Sequence, residues 1–244
     1  DKRMLTDASA PTANILERLK WLVSGAQPGD VLYFHFSGHG SQVVDKDYDT
    51  NLEPDKLDEI ICPVDLDWRT KVITDDQLKS IFHSVPNGVS VNVVLDCCHS
   101  GGGLDQINAY ISNTTTFTRE HLNPDVPIRD KFIPMPVDIA NRGVGLDLPL
   151  QTHADALARD INVNTMLISG CRPNQTSADA WFNNKYMGAL TYYMTQTLAK
   201  FNYKISYQRL VDETAGRLVR YGYSQRPELN GSSLLYSREF LSPM

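Results

Sequence analysis

The chain has 244 residues, 23 basic against 29 acidic side chains and a formal charge of −6. That length can bury a sizeable core without disulfide or metal staples, and the acidic balance argues against nucleic acid or an anionic membrane surface as partner, leaving cationic peptides as the better match. No apolar stretch reaches the roughly eighteen to twenty residues that span a bilayer, and no apolar run follows Asp1-Lys2-Arg3 as a signal peptide requires. Cys62, Cys97, Cys98 and Cys171 lack the regular spacing of a disulfide framework, so a reducing, cytoplasmic setting is expected.

In chain order, Lys2 to Leu5 reads as a short strand. Pro11 to Ser24 carries Ile15, Leu19, Leu22 and Val23 at helical spacing, with Thr12 or Ser9 as cap and Gly25 as stop. Pro28-Gly29-Asp30 turns the chain into a strand over Val31 to Phe36. Ser41 to Asp58 is polar and acidic and reads as a loop. Ile60 to Val64 is a short apolar run. Thr74 then caps a helix from Asp75 to about Ser84 through Leu78, Ile81 and Phe82. Pro86-Asn87-Gly88 leads into the longest strand, Val89 to Leu95. Gly101 to about Asp160 has no periodicity and several prolines. Order resumes with a strand over Asn164 to Ile168, helices from about Tyr186 to Phe201 and Ser206 to Tyr221, and a last strand over Ser232 to Tyr236. Strand, helix and strand alternating in this way predict an α/β unit built on a parallel sheet.

Two of the strands stop at small residues and a reactive side chain: Ser37-Gly38-His39-Gly40 and Asp96-Cys97-Cys98-His99-Ser100-Gly101. The carboxyl end of a buried parallel strand is where such folds deliver chemistry. A thiol is a weak nucleophile until a neighbouring base draws off its proton, so His39 and Cys98 form a candidate pair. The ordinary alternative is an inert buried cysteine beside a core histidine, a description that suits mid-strand His35 better than His39.

With a third stretch, Ser169-Gly170-Cys171-Arg172 followed by Asn174 to Asp179, the chain resembles the metacaspases. The resemblance implies a caspase-like α/β/α sandwich with a central, mostly parallel sheet. Residues 1–103 would form the large-subunit part, its first strand absent upstream of Asp1, 104–162 a flexible linker or insertion, and 163–244 the small-subunit part. It implies a cysteine endopeptidase cutting after Arg or Lys: Cys98 as nucleophile, His39 as general base, the amides of Gly40 and Cys98 as oxyanion hole, and Ser37, Asp96 and Asp179 lining the S1 pocket. A sheltered carboxylate at a strand end suits a guanidinium or ammonium.

The resemblance also implies stimulation by Ca²⁺ through Asp58, Asp75, Asp76 and Asp105, hard oxygen ligands outside the catalytic centre, and no organic cofactor. Asp45, Asp47 and Asp49 open like an EF-hand loop, but Thr50 and Lys56 replace its glycine and its bidentate glutamate, which rejects that site. A monomer acting on proteins or peptides is expected. Self-cutting, if the enzyme performs it, belongs between Gly103 and Asn162, after Arg119, Arg129, Lys131, Arg142 or Arg159. The competing readings are a caspase-fold scaffold without activity and a peptidase of the same fold specific for Asp. A redox or metal module on Cys97, Cys98 and His99 fails because three consecutive residues cannot wrap a tetrahedral ion.

Overall fold

Seven consecutive buried residues make β5 (Ser90–Asp96) the centre of the fold. In the computed structural model, which describes residues 1–44, 57–98, 127–140, 164–172 and 175–244, β5 lies parallel to β1 (Val31–Ser37) on one side and to β7 (Thr165–Ser169) on the other. β10 (Glu228–Gly231) pairs antiparallel with β7 and completes the order β1-β5-β7-β10. A strand covered on both faces carries apolar residues at nearly every position, and β5 sorts them by parity. Val91, Val93 and Leu95 pack with Ile15 and Leu19 of α1 (Thr12–Val23) and with Leu78 and Phe82 of α2 (Asp75–His83). Val94 packs with Leu190 and Met194 of α4 (Ala189–Lys200) and with Leu210 and Val211 of α5 (Tyr207–Arg220). On that second face the amide of Asn92 is satisfied by Leu32 O at 3.0 Å and by the Tyr207 hydroxyl. The expected helix–sheet–helix sandwich with a mostly parallel sheet is therefore present. Strands from both expected parts, β5 and β7, sit side by side in it.

The helix starts follow capping chemistry. Gln77 N donates to Thr74 Oγ1 at 3.2 Å and Thr74 N to Gln77 Oε1 at 3.3 Å, a reciprocal capping box. At α1, neither Thr12 nor Ser9 caps the helix. Pro11 holds the cap position, and Asp65 Oδ1 accepts from Thr12 N at 2.8 Å and from its hydroxyl at 2.9 Å.

Several expected elements are corrected. Lys2 to Leu5 forms no strand. The polar stretch after His39 is not all loop, because β2 (Gly40–Val44) and β3 (Leu57–Ile61) pair antiparallel, with β4 (Ile73–Thr74) beyond them. Its polar residues are buried yet partnered across the strands, as in Gln42 Nε2 to Glu59 Oε1 at 3.4 Å. The helix expected from Tyr186 begins at Ala189. Before it runs a hairpin of β8 (Ala178–Phe182) and β9 (Lys185–Gly188), turned by Asn183 and Asn184 at φ 49° and 63°, the left-handed pair that two-residue hairpin turns need. The last strand ends at Gly231, and Ser233–Leu235 is a 3₁₀ turn. Within the proline-rich region, β6 (Arg129–Asp130) pairs antiparallel with β8, ahead of the short α3 (Val137–Ala140).

Candidate active site

β1 and β5 end level with each other, with Ser37 opposite Asp96. Beyond them the two exits abut: a Cβ on Gly40 would lie 1.7 Å from Cys98 O, so only glycine lets the strand leave there. His39 and Cys98 are thereby carried to adjacent chain exits. The His39 imidazole is exposed, and its pKa is lowered by partial burial and by the Lys131 charge, against the opposing pull of Asp179. It is neutral at neutral pH and able to accept a proton. Cys97 packs into the α1/α2 core with Leu95, and burial pushes its thiol well up. Cys98 belongs to neither core cluster. Its Sγ accepts from Ser177 N at 2.9 Å, and hydrogen bonding with Cys171 and burial hold the thiol protonated. In this arrangement the thiol rests on Ser177 and is not hydrogen-bonded to His39.

The polar floor of the site is built on Asp96, which is wholly buried. Its Oδ2 accepts from Thr191 N at 2.9 Å and from Thr191 Oγ1 at 2.5 Å. His35 Nε2 lies 3.0 Å from the same hydroxyl and His35 Nδ1 2.9 Å from Tyr33 OH, while burial lowers the His35 pKa and keeps it neutral. Asp96 Oδ1 faces the ammonium of Lys131 at 3.2 Å. Lys131 Nζ also donates to Ser37 Oγ and to Asp96 O, each at 2.8 Å, and Lys131 is 3% exposed. Asp179 stands close enough for its charge to act on both Lys131 and His39, and its own pKa is raised by burial. Gly188 walls the slot, since a Cβ there would fall 2.0 Å from Asp96 Oδ2 and 2.2 Å from Lys131 Nζ.

The backbone of Lys131 is held as firmly as its side chain. Its carbonyl oxygen accepts from Gly40 N at 2.9 Å and from Cys98 N at 3.3 Å, and its own amide donates to Ser177 O at 3.0 Å. The two amides expected to form the oxyanion hole thus converge on one carbonyl, as such a hole requires. Lys131 thus lies with its ammonium in the polar slot and its carbonyl between the two amides.

The "Metacaspase, peptidase C14 domain" family model matches residues 1–107. The chain is 30% identical over 250 residues to metacaspase-1 of Schizosaccharomyces pombe, covering 95% of this chain and 58% of that protein. It is 32% identical over 232 residues to metacaspase-2 of Trypanosoma brucei brucei, covering 91% of this chain and 56% of that one. Over nine-tenths or more of its length the chain is thus similar to metacaspases. It spans less than two thirds of the length of these relatives. Among solved structures, protein GSU0716 of Geobacter sulfurreducens superposes with a TM-score of 0.67 at 25% identity, over 99% of this chain and 82% of that one.

The acids expected to hold Ca²⁺ are hard oxygen donors, and the described ones lie on α2 and β3. Asp75 and Asp76, at the start of α2, both pair with Lys79, at 3.0 and 2.9 Å. Against the pull of burial these carboxylates push Lys79 up to about 12, while Asp75 is itself raised by burial. Asp58 is buried on β3, and Asp105 lies outside the described residues, as do Asp45, Asp47 and Asp49. Among the described residues no group of three or more His, Cys, Asp or Glu stands close enough to hold a metal. Nor is any helix among them long and apolar enough to cross a membrane.

Three contributors to the site were not legible as such. In the sequence Gly188 and Thr191 fall inside the helix expected from about Tyr186, and Ser177 is a member of the third stretch with no role of its own. Each becomes significant only when β8, β9 and α4 fold back over the end of β5.

Proposed function

We propose that this protein is a metacaspase-type cysteine endopeptidase that cuts after Lys or Arg. The observation that carries the reading is the seat of Lys131: ammonium on Asp96 and Ser37, carbonyl on the amides of Gly40 and Cys98. A desolvated carboxylate fixed by two Thr191 donors is preorganised for a cation and would repel a P1 aspartate, which disfavours the Asp-specific alternative. An inactive scaffold would have no need of two amides aimed at a substrate carbonyl.

In the reaction, Cys98 turns off Ser177 toward the scissile carbonyl and His39 takes the thiol proton. The sulfur–carbon bond forms while negative charge moves onto the oxygen between Gly40 N and Cys98 N. The peptide C–N bond then breaks, the amine leaving with the proton from His39, and water hydrolyses the thioester to release the acid and restore the thiol. Calcium stimulation is a separate proposal, supported by the resemblance and by the neighbouring carboxylates of buried Asp75 and exposed Asp76 at the start of α2; it would require Lys79 to give up both.

The test is a fluorogenic panel with Arg, Lys or Asp at P1, run on wild type and Cys98→Ala. Hydrolysis of the Arg and Lys peptides, lost in Cys98→Ala, is expected. Hydrolysis of the Asp peptide in their place, or activity surviving in Cys98→Ala, would refute the reading.

A further inference from the structure

β1 sends its side chains to two faces. Phe34 and Phe36 pack with the α1/α2 core, whereas Tyr33, His35 and Ser37 alternate onto the other face, beside Asn92, Val94 and Asp96 of β5. Ser37 meets the polar slot directly, through the Lys131 ammonium at 2.8 Å. His35, whose sequence setting suited a core histidine, reaches the slot through Thr191. Polar groups from β1, α4 and β5 stand in line there: Tyr33 OH lies 2.9 Å from His35 Nδ1, His35 Nε2 3.0 Å from Thr191 Oγ1, and Thr191 Oγ1 2.5 Å from Asp96 Oδ2.

The partners allow this line only one direction. Asp96 faces the Lys131 ammonium at 3.2 Å and accepts from the Thr191 amide at 2.9 Å, so it is a carboxylate with nothing to donate. The single hydrogen of the Thr191 hydroxyl therefore goes to Asp96, and toward His35 the same oxygen offers a lone pair. His35 must then carry its hydrogen on Nε2, which leaves Nδ1 bare to accept from Tyr33. The surroundings agree: burial and the Lys131 charge disfavour the imidazolium, against the pull of Asp96, and burial pushes the Tyr33 phenol up to about 12, so that it keeps the hydrogen it donates. A hydroxyl that receives a hydrogen bond donates a stronger one and is held to one orientation. An apolar side chain would fill the place of His35 equally well; a donor on one edge of the ring and an acceptor on the other serve the orientation of Thr191.

We infer that His35 is a positioning residue for recognition of the P1 side chain: as the Nε2–H tautomer, backed by Tyr33, it fixes the Thr191 hydroxyl on Asp96 and so sets the carboxylate that a P1 cation meets. The inference rests on the peptidase reading and adds to it a residue that acts only through Thr191. A P1 ammonium or guanidinium meets Asp96 in the bound peptide and in the transition state alike, so loosening Asp96 raises KM and leaves kcat in place.

The experiment has two arms, both on the 244-residue chain. Hydrolysis of Lys-P1 and Arg-P1 fluorogenic peptides is measured with Lys131→Ala as the parent, so that the added side chain has the slot to itself, and the His35 ring is read by nitrogen NMR in Cys98→Ala. His35→Phe, which keeps a flat ring and loses the donor, should raise KM about three- to tenfold with kcat within about twofold. His35→Gln, whose amide donates from one atom and accepts on the other, should bring KM back to within about twofold of the parent. Thr191→Val should raise KM about tenfold or more, and adding His35→Phe to it should raise KM no further, because the hydroxyl through which His35 acts is gone. The NMR arm, which stands whether or not His35→Phe folds, should show a neutral ring with its hydrogen on Nε2 at neutral pH. A neutral ring with the hydrogen on Nδ1, an imidazolium, or effects of His35→Phe and Thr191→Val that multiply in the double variant would overturn the inference and leave the peptidase reading standing. Failure of wild type and Lys131→Ala alike to cut any basic peptide would take down the peptidase reading, and the role of His35 in P1 recognition with it.

Discussion

Gly188→Ala should close the S1 slot while leaving the fold in place. Gly188 has φ −61° and ψ 131°, a conformation any residue adopts, so the glycine is needed for room and not for backbone freedom. The added Cβ would lie 2.0 Å from Asp96 Oδ2 and 2.2 Å from Lys131 Nζ, more than an ångström inside contact. Either Asp96 leaves Thr191, giving up donors at 2.9 and 2.5 Å, or a P1 ammonium cannot reach Asp96. Losing one partner of a buried, hydrogen-bonded charge pair costs about 2–5 kcal/mol. At about 1.4 kcal/mol per tenfold, kcat/KM on Arg and Lys peptides should fall between about 30-fold and several thousand-fold. The assay is steady-state hydrolysis, with circular dichroism and Tm to show that the variant folds. A folded Gly188→Ala with wild-type kcat/KM on both peptides would refute this placement of the pocket.

Asp96→Asn should lose Arg and Lys cleavage to a similar extent, and unchanged preference in steady-state assays would move the pocket elsewhere. Cys97→Ala should retain most of the activity, since Cys97 faces the α1/α2 core, and its cost should appear in Tm; loss of activity at full stability would reassign the nucleophile. Because the His39 pKa is lowered, kcat/KM should be complete above about 6.5 and fall as pH drops through a midpoint below it. Asp179→Asn, which removes a charge that raises that pKa, should shift the midpoint further down; an upward shift would contradict the assignment. Millimolar Ca²⁺ should raise the rate, and Lys79→Met should lower the calcium concentration needed, whereas equal rates in calcium and chelator would make Asp75 and Asp76 partners of Lys79 alone.

The parts of the fold that were legible have local causes. β5 is a continuous apolar run, α2 carries its own capping box, and α1 and α5 repeat apolar residues at helical spacing. β2 and β3 were hidden because their buried polar residues satisfy one another across strands, a pairing invisible in either segment alone. The β8–β9 hairpin was hidden because Tyr186 and Met187 extend the apolar pattern of α4 backwards, and only the left-handed pair at Asn183 and Asn184 marks the turn. At the site, His39, Cys98, Gly40, Ser37 and Asp96 sit on strand exits and could be read from two short motifs. Thr191 and Gly188 could not, because they lie inside an expected helix and reach the site only when β8, β9 and α4 fold back over β5; Ser177 stood in the third stretch, but its bond to Cys98 follows only from the fold. Lys131 was legible as a basic residue in an irregular stretch; that it sits on Asp96 follows only from β6 pairing with β8.

The central claim is that Cys98, and not Cys97, attacks a carbonyl whose side chain is held by Asp96. The most direct measurement is labelling of the chain with peptidyl ketone inactivators bearing Lys, Arg or Asp at P1, followed by mass mapping of the modified residue. The account predicts one adduct, on Cys98, formed rapidly by the Lys and Arg reagents, slowly by the Asp reagent, and slowly by all three in Asp96→Asn. An adduct on Cys97, or equal labelling by the three reagents, would contradict it.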